Sequence, residues 1–504
     1  MMDIEYIIVQ AGGRGKRMER LTVNKPKALV PINSLPMIFY NFRKFKDKKF
    51  IIIGDYKCDV LKKYLETFAD VQYIVVDAKG KKGTCGGVQE AMSLVPKDKA
   101  FLLIWSDLVL PSDFILPEKE ANYVGISKDF DCRWSYIDGE FCEVKSKEHG
   151  VAGFFIFKNK DELKDVPEQG EFVPWLKSQN KELQEVALYE TREFGLISEY
   201  NKLPVSKCRP FNKLSIQGDK LVKEGIDEHG KLLEEREKNW YKYVIQKGFK
   251  NIPQIYSYTP FIMEITDGKN VFEYTFDHNT KRAVLEKIII MLKELHSLQA
   301  QPVDYFSVWN NYFGKTFDRL KKIQNLVPFA MDETVRINGK TCRNIFFYKD
   351  VVEKFLSEYR ISEFCLIHGD CTFSNILLDS KQNPVLIDPR GYFGFSKIVG
   401  DANYDWAKLY YSVVGDYDQF NLKRFSLEIK DAEVDLTIET SEWKDMEEEF
   451  FELLGDSVSK KHIKMIHALI WLSLTTYAWE DYDSICGAFY NGLLYFEDVL
   501  AELL

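Results

Sequence analysis

Residues 367–388 read IHGDCTFSNILLDSKQNPVLID, placing Asp370 five residues before Asn375 and Asp388 at the end of the apolar run 384–387. Phosphoryl transfer asks little covalent chemistry of a protein: one carboxylate facing the acceptor hydroxyl and two oxygen ligands holding Mg²⁺ on the nucleotide phosphates. Asp370 stands where the first is needed, and Asn375 and Asp388 where the other two are. The plainer alternative is a polar helix cap followed by an ordinary strand, which would not call for these residue types at these spacings.

The stretch resembles the catalytic loop of the aminoglycoside phosphotransferase and choline kinase superfamily, a branch of the protein-kinase-like fold with the pattern H-G-D-x-x-x-x-N followed by I-D. The resemblance implies a bilobal domain that uses ATP, with Asp370 catalytic and Asn375 and Asp388 as metal ligands. A strand lysine should reach the nucleotide phosphates and a helix glutamate should hold it. Lys223, in Leu-Val-Lys-Glu, and Glu237 fit best, with Lys220 and Glu234 as the competing pair. The segment 261–264 resembles the connection between lobes, where the backbone at Met263 would pair with adenine. His296, His368 and Asp405 are expected to brace the loop rather than react. Arg390, two residues past Asp388, is a candidate contact to the acceptor.

A second, independent signature lies near the N-terminus. An apolar strand at 7–9 leads into QAGGRGKRM at 10–18 and NKPKAL at 24–29. Gly12, Gly13 and Gly15 allow backbone N–H groups to approach phosphate oxygens, and Arg17 and Lys27 add the positive charge a triphosphate needs. No Gly-Lys-Ser/Thr ends the loop and no G-x-G-x-x-G spacing is present, so neither a Walker A loop nor a dinucleotide fold is indicated. The loop is similar to that of the nucleotidyltransferases that activate sugar phosphates, whose pattern is A-G-G-x-G-x-R-M and then P-K. By that resemblance Ala11, Gly12, Gly13, Gly15, Gly83 and Thr84 would line the nucleotide. Arg17 would grip the leaving pyrophosphate and Lys27 the transferring phosphate. Asp107, ending the strand 101–105, would hold Mg²⁺. Glu193, in Glu-Phe-Gly-Leu, is the nearest match to the second metal ligand, which the family usually carries as Asp. Gln10 departs from the usual residue and leaves the nucleotide open between CTP and UTP, with GTP ranked behind them.

At 504 residues the chain is long for a single core. We expect an α/β protein: a Rossmann-like nucleotidyltransferase domain with a mostly parallel sheet over 1–204, and a kinase-like domain over 211–504. The latter should divide into a small lobe at about 211–268 and a helical large lobe at about 269–504. The two-proline stretch 201–210 reads as the linker. Short continuous apolar strands alternate with helical patterns in the first two hundred residues, and helices should dominate after about 280.

The net charge of −9 does not favour a nucleic-acid partner. No apolar run suits membrane insertion and no signal sequence is evident, so a cytoplasmic protein is expected. Nine cysteines without a C-x-x-C pair fit reduced thiols, with Cys85 and Cys371 as small fillers within the two motifs. Nothing in the composition bears on oligomeric state.

Together these readings describe a bifunctional, Mg²⁺-dependent enzyme acting on small molecules. One half would phosphorylate a sugar or polyol with ATP, and the other would join the product to a nucleoside monophosphate for surface polysaccharide or cell-wall metabolism. The alternatives are a choline kinase fused to a phosphocholine cytidylyltransferase, and a chain in which one half only senses nucleotide. Aromatics at Trp471, Tyr477, Trp479, Tyr482 and Tyr490 keep a cage for choline open, although such spacings more often pack a helical core.

Overall fold

The structure, a computed structural model, describes residues 3–203 and 212–503. It divides into two compact units: Met1–Pro204 with Glu480–Asp483, and Val205–Trp479 with Ser484–Leu504. The expected linker falls mostly on residues 204–210, outside the described residues, as does Phe211.

In the first unit, β1 (Ile4–Gln10), β2 (Lys49–Gly54), β3 (Gln72–Asp77) and β4 (Ala100–Trp105) are parallel in the order β4-β1-β2-β3. Ile7, Ile8 and Val9 are fully buried on both sides of the sheet, which explains their unbroken apolar run. Helix α1 (Cys58–Phe68) buries Val60, Leu61, Tyr64 and Leu65, one face at helical spacing. Helix α2 (Cys85–Leu94) adds Val88, Ala91 and Met92 to the core formed by Ile8, Ile53 and Leu103. Beyond β4 the sheet turns mixed, because β7 (Gly150–Phe157) runs antiparallel to β4 and to β6 (Tyr123–Ser127). Strand β8 (Gln184–Leu188) then pairs parallel with β6. A separate two-stranded pairing joins β5 (Leu108–Val109) to β9 (Arg192–Glu193).

The second unit opens with an antiparallel sheet in the order β10-β11-β13-β12, made of β10 (Asn212–Gln217), β11 (Lys220–Gly225), β12 (Ile255–Tyr258) and β13 (Phe261–Glu264). Helix α3 (Glu228–Gln246) lies between β11 and β12 in sequence; Asp227 caps it, accepting from Gly230 N at 2.7 Å. A three-stranded sheet follows, from β14 (Gly268–Asn270), β15 (Ile376–Asp379) and β16 (Pro384–Leu386). Helix α4 (His278–Ser297) packs on its strand β16, and the same unit carries α5 (Lys315–Ile323), α6 (Ala402–Val413), α7 (Lys460–Leu474) and α8 (Tyr482–Leu503).

Helices dominate after 280, but further sheets interrupt them, among them one that the sequence reading missed. Thr334–Ile337, Lys340–Arg343, Phe425–Ile429 and Val434–Ile438 form a four-stranded sheet. Its local signal is Asn338-Gly339, both at positive φ, a two-residue hairpin turn. Trp471 and Tyr490 are fully buried. Trp471 packs on Tyr411 and Phe420 and donates to His467 Nε2, and the Tyr490 hydroxyl donates to Pro328 O. These two rings are core, and an aromatic cage built on them is ruled out.

Two candidate active sites

In the first unit the candidate residues gather at the carboxyl ends of β1 and β4, where ligands of parallel sheets bind. The strand ends are tied together by Ser106 N donating to Gln10 O at 3.2 Å. Asp107 follows at once, 4 % exposed. Register then does what spacing could not: Glu193 pairs opposite Leu108, and Phe194 N donates to Asp107 O at 3.1 Å. The two carboxyl groups, 86 residues apart in sequence, are thereby brought close together. Burial and then Asp107 push the Glu193 carboxyl up to about 7, against the opposing pull of Lys27 and Arg17. Lys27 is ion-paired to Asp107. Two crowded carboxyls with hard oxygen donors fit a divalent cation, which would relieve their repulsion.

The glycine loop is shaped for close approach. Gly15 sits at φ 67°, and a Cβ there would lie 2.9 Å from Lys27 Cβ. A Cβ on Gly12 would meet Asp55 at 2.8 Å, whereas one on Gly13 would meet nothing within 4 Å, so Gly13 faces open space. Arg17 is exposed, near Gly195. Ala11 does not fit its expected part: it is buried and its N–H donates to Ile53 O at 2.9 Å, which removes it from nucleotide contact. Gly83 and Thr84 shape the turn into α2. Gly83, at φ 83°, leaves room for Gly170 O, and Thr84 Oγ1 accepts from Phe172 N at 2.8 Å. Gln10 donates through its amide to Thr84 O at 2.9 Å.

In the second unit Asp370, Asn375 and Asp388 come together around the β15–β16 hairpin. The Asn375 amide nitrogen donates to Asp370 O at 2.8 Å and to Asp370 Oδ2 at 3.0 Å, leaving its Oδ1 as an acceptor for a cation. Ile387 N donates to Asn375 O at 3.0 Å, which sets Asp388 beside it. Lys223 Nζ lies 2.6 Å from both Glu237 Oε2 and Asp388 Oδ1. Burial works against the Lys223 charge, but Asp388 and Glu237 outweigh it and hold the ammonium above its ordinary value. The competing residues are engaged elsewhere: Lys220 lies over the Tyr256 ring, and Glu234 accepts from Gly225 N and pairs with Lys238. Asn375 Oδ1 and the half-exposed Asp388 carboxylate form a second oxygen set suited to Mg²⁺.

Asp405 braces the loop, accepting from His368 N at 2.9 Å and Gly369 N at 2.7 Å while meeting His296 Nε2 at 3.0 Å. His368 accepts at Nδ1 from Asp370 N and so donates through Nε2 to Ile387 O; burial holds its ring below the ordinary value, in the neutral form. Met263 departs from expectation. Its strand is paired on both sides, opposite Leu221 and Ile255, so its backbone is committed to the sheet and does not offer an adenine edge. Burial raises the Cys85 thiol to about 11 and lifts Cys371 well above the ordinary thiol range, as inert fillers require.

Residues 7–118 match the family model of the MobA-like NTP transferase domain, and residues 231–421 match that of the phosphotransferase enzyme family. The chain carries an NTP transferase domain and a phosphotransferase domain. Over 100 residues it is 30% identical to D-glycero-α-D-manno-heptose 1-phosphate guanylyltransferase of Campylobacter jejuni, covering 19% of this chain and 45% of that one. The match thus spans less than half the length of that curated relative. Similar solved structures include the inositol-1-phosphate CTP transferase from T. maritima (17% identity, 40% of this chain, 92% of that one, TM-score 0.34). Another is CTP:phosphocholine cytidylyltransferase from Streptococcus pneumoniae (19%, 40%, 98%, TM-score 0.33).

One phosphotransferase-domain residue escaped the sequence reading. Lys408 Nζ lies 2.9 Å from Asp370 Oδ1. Burial alone would raise the Asp370 carboxyl, but Lys408, His368 and Arg390 outweigh it and hold it below its ordinary value, as a carboxylate. The available signal was position: Lys408 is three residues beyond Asp405 in α6, on the same helix face. Among the described residues no helix is long and apolar enough to cross a membrane.

Proposed function

We propose that the phosphotransferase domain phosphorylates a hydroxyl of a small sugar or polyol with ATP, and that the NTP transferase domain joins the product to a nucleoside monophosphate. The conjugate would serve surface polysaccharide or cell-wall metabolism. The observation that supports this reading is that each domain brings two oxygen-bearing side chains suited to a divalent cation beside a lysine: Asp107 and Glu193 with Lys27, and Asn375 and Asp388 with Lys223.

In the first reaction the acceptor oxygen bonds to the γ-phosphorus as the bond to ADP breaks, and Asp370 takes the hydroxyl proton. Lys223, held by Glu237, binds the nucleotide phosphates, while Asn375 and Asp388 would hold Mg²⁺. In the second, a phosphate oxygen of the product attacks the α-phosphorus of the donor and pyrophosphate leaves toward Arg17. Lys27 steadies the transferring phosphate, and Asp107 and Glu193 would hold Mg²⁺. The ion supplies charge neutralisation at the phosphates in both steps. Positioning and electrostatics account for the rest.

The donor for the second step is CTP or UTP on the sequence reading, and the Campylobacter relative, a guanylyltransferase by name, adds GTP to the nucleotides to be compared. A choline acceptor is disfavoured because a cation already occupies the aromatic surroundings of Asp370. Lys408 Nζ lies 5.3 Å from the centre of the Tyr411 ring and 6.0 Å from those of Tyr404 and Tyr417.

Mass spectrometry of products from sugars, polyols, choline and ethanolamine, incubated with Mg²⁺, ATP and each nucleoside triphosphate, tests the proposal. A phosphorylated sugar or polyol followed by its nucleotide conjugate is expected. Choline as the sole acceptor turned over, or activity in one domain only, would replace it.

A further inference from the structure

The region around Asp370 holds more positive charge than ATP chemistry requires. The Tyr404 ring has Arg390 Cζ at 5.3 Å, Lys315 Nζ at 5.5 Å and Lys408 Nζ at 6.0 Å from its centre. Arg390 also lies 4.1 Å from the centre of the Tyr392 ring, which takes Arg236 at 4.3 Å. Arg319, one turn after Lys315 in α5, is anchored by Ser473 O at 2.6 Å. Lys408 has Asp370 as its partner. Among the described residues, Arg236, Lys315, Arg319 and Arg390 form no ion pair with any carboxylate: Lys315 is bonded to the neutral Asn311 amide, and Arg390 to the Tyr404 hydroxyl.

Like charges gathered without a carboxylate in ion-pair contact repel, and an anion entering among them would relieve that repulsion. Lys315 records the strain: burial first, then Arg390, Arg319 and Lys408, drive its ammonium well below the ordinary value. The nucleotide is not that missing anion, since its phosphates are assigned to Lys223 and the metal ligands. The cluster reaches Asp370 through Lys408 and Arg390, on the side where the kinase reading puts the acceptor.

We propose that the acceptor carries an anionic group, a carboxylate or a phosphate, besides the hydroxyl that is phosphorylated, and that Arg390, Arg319 and Lys315 hold it. Guanidinium groups suit both anions through forked hydrogen bonds. The anion takes no part in bond making and leaves with the product. This inference rests on the kinase reading above. A carboxylate would leave a single phosphate for the nucleotidyl step, whereas a phosphorylated acceptor would yield a bisphosphate.

Two triads separate the possibilities: glycerol, D-glycerate and glycerol 3-phosphate; and glucose, gluconate and glucose 6-phosphate. Binding to the full chain with Mg²⁺ and a non-hydrolysable ATP analogue is measured by calorimetry, and turnover by ADP release. The anionic members should bind at least tenfold more tightly than the neutral one, and the carboxylate and phosphate arms identify the group. Lys315→Met and Arg319→Gln should each weaken anion binding at least tenfold with the KM for ATP within twofold of wild type, and Arg319→Lys should recover part of the loss. Absence of anion preference in binding and turnover, or variants that shift the KM for ATP instead, would overturn the proposal. Efficient phosphorylation of the neutral members alone would sink it while keeping the kinase reading. Anion preference in binding with no phosphorylation of any acceptor would do the reverse.

Discussion

The two candidate sites face the same reagent, a nucleoside triphosphate with its metal, and balance their charges in opposite ways. At the NTP transferase site two carboxyls are crowded together, and Glu193 is pushed up to about 7 despite Lys27 and Arg17. At the phosphotransferase site Asp388 has Lys223 in contact and Asp370 has Lys408, and among the described residues further cations stand by without carboxylate partners. The first site crowds two carboxyls, a set that suits a cation; the second gathers cations without carboxylate partners, a set that on the reading proposed above suits an anion. One chemistry therefore does not impose one electrostatic design; the charge left uncompensated marks what each site has still to bind.

The sharpest way to break this comparison is to remove one acid from each side. Asp370→Ala should lower phosphorylation by about 10³-fold while leaving nucleotidyl transfer to a supplied phosphorylated substrate nearly intact. Asp107→Ala should do the reverse. Separate steady-state assays on folded variants check this, and loss of both activities from either change would contradict two independent sites.

Next comes the lysine that ties two acids. Lys223→Met should reduce kcat/KM for ATP by about 10²-fold and cost about 3 kcal/mol of stability, because it strands the buried Glu237. Adding Glu237→Gln should restore most of the stability and none of the activity. Denaturant titration alongside kinetics separates the two effects.

The third test uses pH. The Glu193 carboxyl rises from 4.5 to about 7 in the folded domain, so the contribution of its protonated form is full below 4.5 and is lost as pH rises through about 7. Mg²⁺ requires the ionised form. Its apparent affinity at the NTP transferase site should therefore fall about tenfold per unit below pH 7 and level off above it. Melting shifts with Mg²⁺ and a non-hydrolysable triphosphate follow this directly, and Glu193→Gln should flatten the profile.

The smallest effect is expected at Gly15. An alanine there must adopt φ 67° and press on Lys27, costing about 1–2 kcal/mol and lowering nucleotidyl transfer several-fold. Phosphorylation should not change. Equal effects on both activities would blur the distinction between the sites.

Much of this was legible in the chain itself. Residues 367–388 bring Asp370, Asn375 and Asp388 together through a short loop and an adjacent hairpin, so their convergence is local and sequence spacing suffices to find it. The buried strands of the parallel sheet declare themselves by unbroken apolar runs, as at Ile7, Ile8 and Val9. Lys223 and Glu237 already fitted best as strand and helix residues, and packing set aside Lys220 and Glu234, which have the same residue types and similar spacing. Bringing Glu193 to Asp107, 86 residues away in sequence, needed the register of two short strands. Ala11 and Met263 failed for a common reason: whether a backbone group is free depends on which strand lies beside it, and sequence does not carry that. The cations around Tyr404 come from three separate parts of the chain, at 315, 390 and 408. Charge and residue type are written locally, but mutual repulsion or attraction depends on distance, which only the tertiary fold decides.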